Sequence, residues 1–118
     1  MEIPNLTPAA SERRKQERRT LRANAALRLS GATPVVVRTL DLSVGGMGVV
    51  AAINPPAGSR CTIGIASPAQ PRGAIAVEID AVVVHSIFSS RESGFKIGLQ
   101  FGDLTQSAAD AINRYLGS

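Results

Sequence analysis

A chain of 118 residues, 44% hydrophobic and 19% charged, is long enough for one core and too apolar to remain disordered. With three Phe, one Tyr and no Trp, an aromatic core is excluded and the interior has to be built from Val, Ile, Leu and Ala. The net charge of +4 resides in residues 1–30, which hold seven basic and three acidic side chains against six of each in residues 31–118, so an anionic partner is expected to meet that segment.

In chain order, residues 1–12 contain two prolines and no apolar period, and read as a flexible lead-in. Thr7-Pro8 fits the start of a short helix over Ala9–Arg19, but that helix would have no apolar face, so residues 13–22 are expected to form a flexible basic arm. From residue 23 the pattern changes to short β-like runs: "AALRL", "VVVRTLDL", "GMGVVAAI", "RCTIGIA", "AIAVEIDAVVVHSIF" and "GFKIGLQF". The turn clusters "SGATP", "NPPAGS", "SPAQPRG" and "SSRESG" separate them. Six strands at this spacing predict an all-β-dominated domain with a six-stranded antiparallel barrel over 23–102, since closure removes exposed edges. Residues 103–117 predict a C-terminal helix with Ala108, Ile112, Tyr115 and Leu116 on one face, capped by Asp103 or Thr105 and ended by Gly117. Residues 13–118 thus form one domain.

Cys61 is alone, which excludes an intramolecular disulfide and fits a reducing compartment. No signal-peptide pattern and no apolar run of about 20 residues is present, so a cytoplasmic protein without membrane insertion is expected.

Two stretches carry chemistry. In "DLSVGGMG", strand alternation puts Thr39, Asp41 and Ser43 on one side, while Gly45, Gly46 and Gly48 remove bulk where a ligand could lie against backbone N–H groups. Alone, such a stretch is more often a plain turn. "SERRKQERRTLR" packs six Arg or Lys into twelve residues, five of them Arg, whose planar fork binds phosphate or a guanine edge through two parallel bonds. Alone, this is more often a solvated arm.

Together, "RRTLR", with R-x-x-x-R from Arg18 to Arg22, and "DLSVGG", with D-x-S-x-x-G at Asp41, Ser43 and Gly46, resemble the PilZ domain family of bacterial cyclic di-GMP receptors. The stretch "GFKIGLQFGDLTQSAADAINRYL" is similar to the family's last strand and closing helix, so the resemblance spans about residues 12–117. It implies that Arg18 and Arg22 hold phosphates and guanine acceptors, that Asp41 accepts from guanine N1 and N2, that Ser43 bonds a phosphate oxygen, and that Gly46 makes room. Arg14 and Arg18 have the same spacing; Arg18 and Arg22 are preferred because the first strand begins directly after Arg22, leaving Arg19, Arg14 and Arg13 as auxiliary contacts.

The implied function is that of a ligand-responsive adaptor. Cyclic di-GMP binds, as one nucleotide or a stacked pair, and the arm orders against the turn. The altered surface then meets an effector protein of motility, biofilm or exopolysaccharide control, with the receptor a monomer or a ligand-linked dimer. The alternatives are a small basic barrel that binds nucleic acid, and a PilZ-like interaction module that binds no nucleotide. The first lacks aromatics clustered near the arginines, so DNA and RNA are not expected partners. Catalysis is not expected: His85 is the single histidine and reads as a strand residue, and no nucleophile elbow or P-loop is present. One His and one Cys exclude the usual zinc spacings, so no metal or cofactor is expected beyond the ligand.

Overall fold

A computed structural model describes residues 18–65 and 77–117. Among the described residues, seven strands and one helix follow in order: β1 (Arg19–Thr20), β2 (Asn24–Leu29), β3 (Val35–Leu42), β4 (Gly46–Ala51), β5 (Arg60–Ile65), β6 (Val77–Ser89), β7 (Gly94–Phe101) and α1 (Gln106–Gly117). All pairings are antiparallel, and neighbours run β3-β2-β5-β6-β7-β4, with β4 pairing β3 again. Six strands therefore close on themselves, as the six β-like runs predict, and β1 is an extra two-residue strand on the edge of β3.

The wall faces inward through Leu27, Val37, Leu42, Met47, Val49, Ile63, Ile79, Val83, Ile97 and Leu99, all nearly sealed from solvent. Among the described residues Phe101 is the one buried aromatic in that core, in keeping with an interior of aliphatic side chains. Each such residue, fully buried, contributes about 1.5–3 kcal/mol. Helix α1 adds Ala108, Ala111 and Ile112 to the buried set and packs Leu116 against it. Ala111 was not on the predicted face, and the Tyr115 side chain lies outside the described residues. Thr105 rather than Asp103 caps the helix: its Oγ1 accepts from the Ala108 N–H at 3.1 Å.

Strict alternation fails at two places, and both matter for the site. In β3, Thr39 pairs with Val49 and Asp41 with Gly48, so Leu40 is an extra residue. Thr39 faces inward at 2% exposure, and Asp41 faces outward. The expectation that Thr39, Asp41 and Ser43 share a side is thereby corrected: the β-bulge between Thr39 and Asp41 shifts the period by one, and Ser43, past the end of β3, is buried with its hydroxyl bonded within the turn. In β6, Val83 pairs with Leu99 and His85 with Gly98, leaving Val84 as the extra residue. Simple alternation from Ile79, Ala81 and Val83 would point His85 into the core; the bulge turns it out.

The buried Thr39 hydroxyl fills the break between β1 and β2. It accepts from the Ala23 N–H at 2.9 Å and donates to the Leu21 carbonyl at 2.7 Å, replacing ladder bonds lost there. Leu21 packs partly buried against the core. The arm therefore has an apolar anchor at its C-terminal end, where the charge pattern hid it, and Arg18–Arg22 lies along β3.

Candidate functional site

Bonds within the chain determine the shape of the β3–β4 turn. Ser43 Oγ is buried and accepts from the N–H groups of Gly45 and Gly46, both at 3.2 Å, while Ser43 N–H donates to the Gly46 carbonyl at 2.9 Å. The Gly45 carbonyl accepts from Phe101 N–H at 2.9 Å, tying the turn to the end of β7. The Ser43 hydroxyl thus builds the loop. Gly46 is buried too, and a Cβ there would collide with the Leu99 carbonyl oxygen on β7. Its missing side chain lets two backbones approach, a structural demand that motif reading alone did not separate from ligand access.

Asp41 is placed differently. Its side chain is 34% exposed, and Oδ1 accepts from Gly48 N–H at 2.9 Å and from Arg18 Nη1 at 2.5 Å. The β1 register, Arg19 opposite Leu42 and Thr20 opposite Asp41, delivers Arg18 to this carboxylate from 23 residues away. Gly48 leaves the space beside Asp41 open: a Cβ there would sit 3.1 Å from Oδ1. Arg18 remains 55% exposed, so the pair is solvent-screened and worth less than about 1 kcal/mol. Such a contact holds the two groups together and yields readily to a better partner.

Arg18, the turn Ser43–Gly46, Gln100 and the bulged Val84 line a cleft of about 700 Å³, within the range of small-molecule sites. Arg22 is not in this cleft; it lines a separate recess of about 340 Å³ with Arg38. Arg38 itself donates to the Glu92 carbonyl at 2.6 Å and lies 3.5 Å from the Glu92 carboxylate. Of the site residues predicted, Arg18, Asp41, Ser43 and Gly46 converge on the turn, Arg19 is exposed on β1, and Arg22 stands apart. Arg13 and Arg14 lie outside the described residues.

His85 is an exposed residue of strand β6, as its sequence context suggests. It pairs across β7 to Gly98, which pairs to Gly48 on β4, which pairs to Asp41, so an outward row runs His85, Gly98, Gly48, Asp41. Only pairing can show this, because the two ends of the row are 44 residues apart in sequence. A third recess of about 350 Å³, on the β2–β5–β6 wall, is lined by Arg28, Arg60, Asp80 and Cys61. Burial pushes the Cys61 thiol up, with the charge of Asp80 adding to the effect. Among the described residues no group of three His, Cys, Asp or Glu is arranged to hold a metal, and no helix is long and apolar enough to cross a membrane.

Comparison with known proteins gives a consistent result. The inhibitor of motility MotI/DgrA of Bacillus subtilis superposes with a TM-score of 0.68 at 20% identity, covering 87% of this chain and 49% of that one. YcgR of Escherichia coli, in complex with c-di-GMP, gives 0.63 at 17% identity, covering 89% and 45%. The PilZ domain of YcgR with c-di-GMP gives 0.61 at 15% identity, covering 89% of both chains. The chain therefore spans about half the length of the first two proteins and most of the isolated domain. No match was found among curated proteins. The sequence matches the PilZ domain description over residues 12–118, which is nearly its whole length, and the chain belongs to the PilZ domain family.

Proposed function

We propose that this domain is a cyclic di-GMP receptor without catalytic activity, acting in the cytoplasm on an effector protein of motility, biofilm or exopolysaccharide control. The observation that carries this reading is the contact of Asp41 with Arg18, which itself lines the cleft beside the β3–β4 turn. A guanidinium offers parallel donors to phosphate or to guanine O6 and N7, and a carboxylate accepts from guanine N1 and N2. YcgR and its isolated PilZ domain, both solved with c-di-GMP, share the fold and support the choice of ligand.

On this reading the ligand replaces each member of the exposed pair as the other's partner. Arg18 turns to phosphate and Asp41 to the base edge. Arg14, Arg19 and Arg22 are secondary contacts, drawn in as the basic arm closes over the bound nucleotide. Ser43 and Gly46 act through the shape of the turn, with the Ser43 hydroxyl keeping two N–H groups in a fixed arrangement.

Calorimetric titration with cyclic di-GMP tests the reading, with GTP, cyclic di-AMP and short single-stranded DNA as controls. Saturable binding of cyclic di-GMP alone is expected. Equal affinity for DNA would favour the nucleic-acid alternative, and no binding to any of them would favour an interaction module without nucleotide.

A further inference from the structure

The row that ends in Asp41 begins at His85, and nothing in the motif chemistry uses that residue. Its ring has an unusual seat. A Cβ built on Gly98 would lie 2.5 Å from His85 Nε2, 2.8 Å from Cε1 and 3.0 Å from Cδ2. Three ring atoms at such similar distances mean that the imidazole lies face down on the bare backbone of Gly98; an edge-on approach would leave the two carbons much farther away. The opposite face of the ring is open, since His85 is exposed, and it has no hydrogen-bond or ion-pair partner among the described residues. A planar ring is therefore held flat against the wall, with its free face to solvent.

The strand bears a cost to hold it there. The bulge at Val84 that turns His85 outward also turns Ser86 inward, where its Oγ is buried without a hydrogen-bond partner among the described residues. Bulges re-aim side chains next to functional sites, and here one lies at each end of a single row, immediately before Asp41 and immediately before His85. Between the two ends are only Gly48 and Gly98. Three strand spacings separate the backbones of Asp41 and His85, about 14 Å. Because the carboxylate leans over Gly48 and the imidazole over Gly98, the open floor between them is roughly one strand spacing, ~5 Å wide.

We propose that His85, seated on Gly98, is the stacking platform for one guanine base, whose hydrogen-bonding edge then points along the row to Asp41. This rests on the receptor reading above. Stacking is tolerant of base identity because every base presents a π-face, so His85 supplies affinity while Asp41 supplies selection. The two roles separate in measurement.

The test is cyclic di-GMP titration of the full chain carrying His85→Ala, His85→Phe or Gly98→Val, with cyclic di-AMP as the selectivity control and circular dichroism as the fold control. His85→Ala should weaken cyclic di-GMP binding roughly tenfold or more, about 1.4 kcal/mol. The preference over cyclic di-AMP should be retained, and His85→Phe should restore most of the affinity. Gly98→Val, which lifts the ring, should resemble His85→Ala. In the unmodified protein, NMR should show the His85 ring protons shifting upfield on binding, with contacts to guanine H8; this holds even if a variant fails to fold. Unchanged affinity in His85→Ala alongside lost binding in Arg18→Ala would overturn the platform and leave the receptor reading standing. Equal losses in the Ala and Phe variants would overturn stacking in favour of a polar contact. Absence of cyclic di-GMP binding by the unmodified chain would overturn both.

Discussion

Across β3, β4, β7 and β6 the outward row runs Asp41, Gly48, Gly98, His85; across β2, β5 and β6 a comparable row runs Arg28, Thr62, Asp80. Both walls enclose the same aliphatic core, and both carry charged side chains. The second row has a side chain at every strand, with opposite charges at its ends, as an ordinary solvated sheet face does. The first keeps its two middle strands bare, although a mid-strand glycine destabilises by roughly 0.5–1 kcal/mol relative to alanine. On the receptor reading, a wall that forgoes stability in its middle and turns a polar or aromatic group outward at each end is arranged around a guest. The difference separates a binding face from a covering face more sharply than net charge does.

The largest expected effect sets one wall against the other. Arg18→Ala should weaken cyclic di-GMP binding a hundredfold or more, about 2.7 kcal/mol, because charge-assisted bonds of about 1.5–3 kcal/mol each are lost. Arg28→Ala, with the same loss of charge on the β2–β5–β6 wall, should leave calorimetric affinity nearly unchanged. If both lost binding equally, general basicity would be the cause and the contrast between the walls would collapse. Asp41→Ala should in addition erode the preference for cyclic di-GMP over cyclic di-AMP.

A second prediction separates glycines that open space for a guest from those that pack. Gly46→Ala should destabilise the fold by about 2–3 kcal/mol in urea denaturation, since the added carbon meets backbone that cannot step aside. Gly48→Ala meets only the side chain of Asp41 and should alter affinity more than stability. The reverse ranking would mean that the site has been assigned to the wrong glycine.

Thr39→Val probes how the arm is delivered to the binding wall. It strips the Leu21 carbonyl and the Ala23 N–H of a buried partner, so a loss of about 1–3 kcal/mol is expected. Amide exchange should speed up at Ala23 before it does in β5 or β6. Uniform exchange throughout the barrel would show that Thr39 serves the core rather than the arm.

The smallest effect belongs to the covering wall. Cys61 is buried and its thiol is raised above the ordinary range, so folding favours the protonated form. Its stabilising contribution is complete below the ordinary thiol pKa and is lost as pH rises through the raised value. Urea midpoints should therefore decline gently at alkaline pH in the parent and less in Cys61→Ala. Alkylation of the folded chain at neutral pH should be slow. Rapid labelling there would mean that this wall opens readily.

Much of this architecture was legible in the chain. Six alternating runs with turn clusters between them specify the barrel, because each element carries its own period and punctuation. Paired motifs pointed to Arg18 and Asp41 because their chemistry is local and their spacing distinctive. What escaped was register. A bulge is invisible to periodicity, so alternation alone sets Thr39 beside Asp41 and cannot show which residues share His85's row. The pairing of Gly98 with Gly48 depends on how the β6–β7 hairpin, which already sets His85 opposite Gly98, meets the β3–β4 hairpin, and no single segment encodes that. Leu21 escaped because one leucine among arginines leaves no pattern, although it is what fixes the end of the arm.

One oxygen, Asp41 Oδ1, receives both Arg18 and the Gly48 N–H. A guest that takes only the carboxylate leaves the guanidinium without a counter-charge, and a guest that takes only the guanidinium leaves the carboxylate without one. On the receptor reading the pair would work as a coincidence gate: a molecule bringing a base edge and phosphates on one frame satisfies both halves together, whereas free nucleoside and free phosphate each gain little. In a cell crowded with both, such a gate would let a shallow site ignore abundant fragments of its own signal.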